Sequence, residues 1–265
     1  MLAFDRRAFT YEEAAIVQAK MATHLASFIP QGSFFHACYE FGCGTGLLTS
    51  QLLHRSSFEN MLLNDQSPQM LHIVEQKLQA YRGDSLHQVK FVADSAENLS
   101  HPRDSFDLIA SSATLQWIAS PFTFLQQTLD SLRPQGILLL ATFGEKNLYE
   151  LRSLTQRGLS YPTLEEFKDF FSSKQYTLLH AEEELIPLFF PTMKSLFCHL
   201  QHTGVNSFPS TPEAPHPLRP QELKALATSY QALFSSPEGL SLTYHPIYLV
   251  VVKNDVPLSP EDTNS

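Results

Sequence analysis

The chain has 265 residues, 43% of them hydrophobic, which is enough for one sizeable core, so a single catalytic domain over residues 1–254 with a disordered tail at 255–265 is expected. No run of about 18 apolar residues occurs, and Cys38, Cys43 and Cys198 form no C-x-x-C pair; a soluble cytoplasmic protein without a disulfide framework or a thiolate metal site is expected. A formal charge of −9 argues against a nucleic-acid binder, whose surface needs a basic stripe to displace counterions from phosphates.

In chain order, HACYEFG, MLLNDQ, VKFVADS, FDLIAS and GILLLATF read as five strands between Phe35 and Phe143. Helix-like stretches at Gly46 to Leu53, Pro68 to Tyr81 and Pro121 to Leu132 separate them, and Arg133-Pro134-Gln135-Gly136 supplies a turn into the fifth strand. This alternation predicts an α/β fold, a doubly wound, largely parallel sheet with helices on both faces. A helix is expected over Thr163 to Ser173. Two late strands, YTLLHAEEELIPLFF and LSLTYHPIYLVVVKN, complete the sheet. Between them an insert at about 191–239, with helix candidates at TMKSLFCHLQHTG and Gln221 to Phe234 around a proline-rich loop at 207–220, is expected to act as a lid.

The strongest functional signal is Glu40-Phe41-Gly42-Cys43-Gly44-Thr45-Gly46, placed where the first strand ends and a helix begins. Glycines there allow a tight turn and bring a ligand against bare backbone at the carboxyl edge of the sheet. Asp65, after the second strand, suits both hydroxyls of a ribose, although an acid before Pro68 is also an ordinary turn residue. Asp94 ends the third strand; its spacing to Glu97 equally fits a helix cap.

The alternating glycines with an acid two residues ahead resemble motif I of the class I methyltransferases, whose fold is a Rossmann-like seven-stranded sheet. That resemblance implies S-adenosylmethionine as cofactor, S-adenosylhomocysteine as product, and a binding set of Glu40, Gly42, Cys43, Gly44, Gly46, Asp65, Gln66, Asp94, Ser95, Ala96 and Ser111. In such a set Asp94 accepts from the adenine amino group.

Four further stretches narrow the resemblance. They are Phe9-Thr10-Tyr11-Glu12 with Gln18; Leu115-Gln116-Trp117; Thr142-Phe143-Gly144 with Leu148 to Arg152; and Phe190-Pro191-Thr192-Met193 through His199 to Asn206. Together they are similar to the BioC family, the malonyl-[acyl-carrier protein] O-methyltransferases, which implies malonyl-acyl carrier protein as substrate and a methyl ester for pimelate and biotin assembly as product. Glu12 stands where that family usually carries Asp. A malonyl carboxylate is already ionised near neutral pH, so no catalytic general base and no metal site are expected; placement carries the reaction.

For the substrate, Arg152 is expected to hold the carboxylate in a planar two-point contact, the alternative being a solvated arginine paired with Glu150 or Glu145. Tyr11 and Gln116 suit hydrogen bonds to the malonyl group but equally suit capping or packing. Trp117, Phe143 and Phe190 are expected to form apolar walls, with Trp117 equally readable as a core residue. His199 and His202 lack a completing metal ligand and read as helix-surface residues. A docking patch for an acidic carrier protein is expected at Arg6, Arg7 and Lys20 or at Arg152, Arg157, Lys168 and Lys194. Two other readings share the cofactor residues: a methyltransferase of another small acid or quinone precursor, and a non-catalytic assembly factor.

Overall fold

The computed structural model describes residues 15–80, 86–203 and 219–255. Tyr11, Arg6, Arg7, most of the proline-rich loop and the tail beyond Asp255 lie outside those residues.

The strands β1 (Ser33–Phe41), β2 (Ser56–Asp65), β3 (Leu86–Ala93), β4 (Phe106–Ser112) and β5 (Leu132–Phe143) form where the alternation of patterns predicts them. With β6 (Tyr176–Glu183) and β10 (Pro246–Lys253) they build a seven-stranded sheet in the order β3-β2-β1-β4-β5-β10-β6. β1 lies parallel to both β2 and β4, so the winding reverses there and the carboxyl ends of β1 and β4 open a crevice. β10 runs antiparallel between β5 and β6.

Neighbouring residues on the central strands feed opposite cores, which is why these strands read as continuous apolar runs. Cys38, Leu108, Leu139 and Val250 enter a cluster with α1 (Ile16–Ser27) and α2 (Leu47–Arg55), which contribute Met21, Leu25 and Leu52. Tyr39, Ile109, Leu138 and Leu249 enter the other, with Phe124 and Leu125 of α4 (Pro121–Asp130) and Phe167 of α6 (Leu164–Phe170). Between these, α3 (Pro68–Ala80) follows β2 and α5 (Tyr149–Thr155) follows β5. The Pro134-Gln135 turn falls inside β5 as an interruption: Gln135 has φ 63°, and the pairing with β4 slips between Phe106 and Leu108.

The two late strands differ from expectation. Each splits in two: β6 is followed by β7 (Ile186–Phe190), and β9 (Gly239–Tyr244) precedes β10, with β7, β9 and the two-residue β8 (Ser235–Ser236) forming a second, antiparallel sheet. The runs remain partners across the bend, since Ile247 pairs with Glu183 on one side and Tyr244 with Ile186 on the other. Hydrophobicity alone does not register a bend that preserves pairing.

The segment after β7 holds α7 (Met193–His202) and α8 (Pro220–Phe234). A reciprocal cap between Thr192 and Ser195 starts α7. Leu196, Leu200 and Tyr230 pack into the same cluster as Leu240 and Leu242 of β9.

Candidate active site

The loop from β1 to α2 turns through three glycines with left-handed backbone: Gly42 (φ 65°), Gly44 (φ 54°) and Gly46 (φ 83°). Their reasons differ. A Cβ on Gly42 would lie 2.2 Å from the Thr114 side chain, and one on Gly46 2.4 Å from Val74, so both are required by packing. A Cβ on Gly44 would meet nothing within 4 Å. Only Gly44 presents its bare α-carbon to open space. The turn is fastened from outside: Cys43 N–H donates to the Asn64 carbonyl at 2.9 Å, Gly44 N–H to Asp65 Oδ2 at 2.9 Å, and Lys77 Nζ to the Thr45 carbonyl at 2.7 Å.

Glu40 is buried just ahead of this turn, with Oε2 accepting from Thr49 Oγ1 at 2.8 Å. Burial pushes its carboxyl up to about 8, with nearby Asp65 adding to the rise. Asn64 ties the ends of β2 and β3 together by donating to the carbonyls of Val92 and Asp94. The Asp94 carboxylate accepts from Ser95 N–H at 2.7 Å and from Asn98 Nδ2 at 2.8 Å, while Glu97 accepts from Ala119 N–H, so the D-x-x-E spacing does not close as a cap.

These elements border one cavity of about 500 Å³, a size suited to a ligand of nucleoside dimensions. Of the expected cofactor residues, Glu40, Gly42, Cys43, Gly44, Asp65, Gln66, Ser95 and Ala96 line it. Gly46, Asp94 and Ser111 are not among its lining residues. Gly46 instead opens α2, Asp94 organises the following turn, and Ser111 is fully buried with its hydroxyl donating to the Phe41 carbonyl, where Ser112 takes the cavity-facing place. Strand alternation explains that one-residue shift.

Gln116, Trp117, Phe143 and Arg152 line the same cavity. Trp117 is 39% exposed in a short 3-10 turn, so it is a wall and not a core residue. Gln116 is fixed by donating to the Ala113 carbonyl at 2.6 Å. Arg152 makes neither carboxylate pair that its neighbours offered: Glu150 is buried and accepts from Thr243 N–H and Oγ1, and Arg152 Nη1 donates to the Glu145 carbonyl. Its guanidinium carbon sits 5.1 Å from the Tyr161 ring centroid, and a Cβ on Gly158 would strike its aliphatic stem. Lys20 and Lys168, expected in a docking patch, are held by Glu184 and Glu165 at 2.8 and 2.6 Å, while Arg157 lines the cavity.

Two expectations are corrected. Phe190 does not line the cavity; it packs against His199, with ring centroids 5.0 Å apart. His199 is not a surface residue. It is buried, bonds the Tyr244 hydroxyl through Nε2 at 2.8 Å, and burial lowers its pKa to about 4. A residue on the inner face of an amphipathic helix is indistinguishable by type from one on the outer face. Among the described residues, no group of three or more His, Cys, Asp or Glu side chains is arranged for a metal.

Sequence reading left Asn147, Tyr161, Thr203 and Tyr244 unassigned, although all four line the cavity. None of the four is singled out by residue type, and only folding gathers them. Gln18, flagged by resemblance without a role, lines it as well. Three buried oxygens on cavity-lining residues, Gln18 Oε1, Thr45 Oγ1 and Ser112 Oγ, have no partner among the described residues. Such orphans fit a polar ligand, and with the open face of Gly44 and the Asp65 carboxylate they match the amino-acid and ribose parts of S-adenosylmethionine.

A crevice at the switch point of this sheet, floored by a glycine turn and flanked by acids on successive strand ends, defines the chain as an S-adenosylmethionine-dependent methyltransferase. Residues 39–138 match the family model for the methyltransferase domain. The malonyl-[acyl-carrier protein] O-methyltransferase of Bacteroides thetaiotaomicron is 35% identical over 96% of this chain and 97% of its own length. That of Haemophilus influenzae is 32% identical over 94% and 91%. The solved YcgJ protein of Bacillus subtilis superposes with a TM-score of 0.60 at 14% identity, covering 90% of this chain and 99% of its own, which shows the shared fold. The chain belongs to the malonyl-[acyl-carrier protein] O-methyltransferase family.

Proposed function

We propose that the protein transfers a methyl group from S-adenosylmethionine to the free carboxylate of malonyl-acyl carrier protein in the cytoplasm, giving its methyl ester. The observation that carries this reading is the placement of Arg152 in one cavity with the glycine turn, in a chain of this family. Glu40, Gly44 and Asp65 would hold the cofactor, which supplies an electrophilic methyl on a sulfonium. Arg152 would orient the carboxylate by two parallel N–H···O bonds, an arrangement lysine does not reproduce. Trp117, Phe143, Leu148 and Leu151 make the walls apolar, which limits water around the reacting charges. No proton has to be removed, so positioning supplies the rate. Thr203 brings the segment around residues 191–239 to this cavity, which supports its reading as a cover over the substrate.

The test is incubation with methyl-labelled S-adenosylmethionine and malonyl-acyl carrier protein, malonyl-coenzyme A or free malonate. Label is expected on malonyl-acyl carrier protein as a base-labile ester. Methylation of a different small acid, with none on the malonyl thioesters, would sink the reading. No label on any acid would favour an assembly role.

A further inference from the structure

Beside Arg152 the cavity is lined by Tyr161, whose hydroxyl is of a type suited to an anion. Its orientation follows from a chain of donors that leaves little freedom. The backbone N–H of His245 can only donate, and it meets Asn147 Oδ1 at 3.3 Å. That contact fixes which way round the Asn147 amide lies, a choice that atomic positions alone leave ambiguous. The amide nitrogen Nδ2 therefore faces Tyr161 and donates to the phenol oxygen at 3.1 Å. Tyr161 is thus an acceptor toward the protein, and its own O–H hydrogen has no acceptor among the described residues.

Asn147 is itself buried, 3% exposed, and bound through its N–H to the Gly144 carbonyl, so the amide is a fixed post. The Tyr161 ring carries the Arg152 guanidinium on its face, 5.1 Å from the centroid, and both side chains line the cavity. Burial raises the phenol's pKa, which keeps it a donor at neutral pH. We infer that Tyr161 is a substrate-binding residue whose hydroxyl donates to the carboxylate held by Arg152, so that the acyl anion is recognised by a guanidinium and a phenol together. The inference rests on the malonyl reading above and adds a specificity determinant to it. A carboxylate accepting three N–H and O–H bonds has its free lone pair directed, which selects the oxygen that receives the methyl.

Tyr161→Phe removes only the oxygen and keeps the ring under Arg152. Affinities of malonyl- and acetyl-acyl carrier protein are measured by calorimetry with S-adenosylhomocysteine bound; carrier docking is common to both, so their ratio isolates the carboxylate. The wild type is expected to prefer the malonyl thioester, and Tyr161→Phe to lose about tenfold or more of that preference with S-adenosylhomocysteine affinity unchanged. An undiminished preference in Tyr161→Phe, beside a wild type that prefers and methylates malonyl-acyl carrier protein, overturns the Tyr161 assignment alone. A wild type without any malonyl preference or turnover overturns both this inference and the substrate reading.

Discussion

Asp65 and Gly44 are joined before any ligand arrives: the Gly44 N–H donates to Asp65 Oδ2 at 2.9 Å, and the other carboxylate oxygen accepts from Ser67 N–H at 2.9 Å. One side chain thereby shapes the glycine turn from the edge of the cavity. Asp65→Asn replaces an acceptor facing Gly44 N–H with an amide that has to turn its nitrogen elsewhere. Cofactor affinity is expected to fall by about 1.5–3 kcal/mol, roughly ten- to a hundredfold, as read by calorimetry. Unchanged affinity would show that the carboxylate is purely a turn residue.

Gly44 and Gly42 are expected to fail in different ways. Gly44→Ala places a methyl in open cavity space at φ 54°, costing about 1–2 kcal/mol of stability while weakening cofactor binding. Gly42→Ala drives a methyl into Thr114, so the fold is expected to suffer more than the site. Thermal melts with and without S-adenosylhomocysteine separate these effects; equal ligand-induced stabilisation of Gly44→Ala and wild type would count against Gly44 as the contact.

Glu40 is expected to make cofactor binding pH-dependent. With its folded-state pKa raised from 4.5 to about 8, the carboxyl is largely protonated at pH 7, and a cationic amino group beside it needs the carboxylate. Binding is expected to release a proton at pH 7 and to tighten by up to about tenfold per pH unit below 8, levelling off above that value. For the unliganded protein, this group's stability contribution is fully present below pH 4.5 and is lost as pH rises through about 8. Glu40→Gln should flatten both profiles. Calorimetry in two buffers of different ionisation enthalpy reads the proton directly.

The His199–Tyr244 contact behaves oppositely. Its pKa is lowered from 6.5 to about 4, so the neutral imidazole's contribution is present above pH 6.5 and lost as pH falls through 4. Urea melts between pH 7 and 4 are expected to show that decline in the wild type, with a shallower slope in His199→Gln. Equal slopes would mean that other groups carry the acid sensitivity.

Arg152→Ala is expected to retain cofactor binding while losing about 2–5 kcal/mol of transition-state stabilisation toward malonyl-acyl carrier protein, tens- to thousands-fold in kcat/KM. Arg152→Lys should recover only part, since it keeps charge without the fork. Wild-type turnover by Arg152→Ala, with Arg157→Ala inactive, would move the clamp to Arg157.

The nucleotide-binding half was legible from the sequence because its signals are local. Each strand of β1 to β5 is a short apolar run ended by turn residues, and Glu40, Gly42, Gly44 and Asp65 sit at strand ends whose register the topology then aligns. Local chemistry also placed the starts of two helices, at Pro121 and close to Thr163. Tertiary structure alone decided the rest. It bent the two late apolar runs together into a second sheet, since pairing between distant segments leaves no trace in either run's period. It turned Ser112 and not Ser111 toward the cavity, a choice made by one residue of strand register. It also brought Asn147, Tyr161 and His245 into one hydrogen-bonded line beside Arg152, because contacts across a fold are set by packing in three dimensions and not by spacing along the chain.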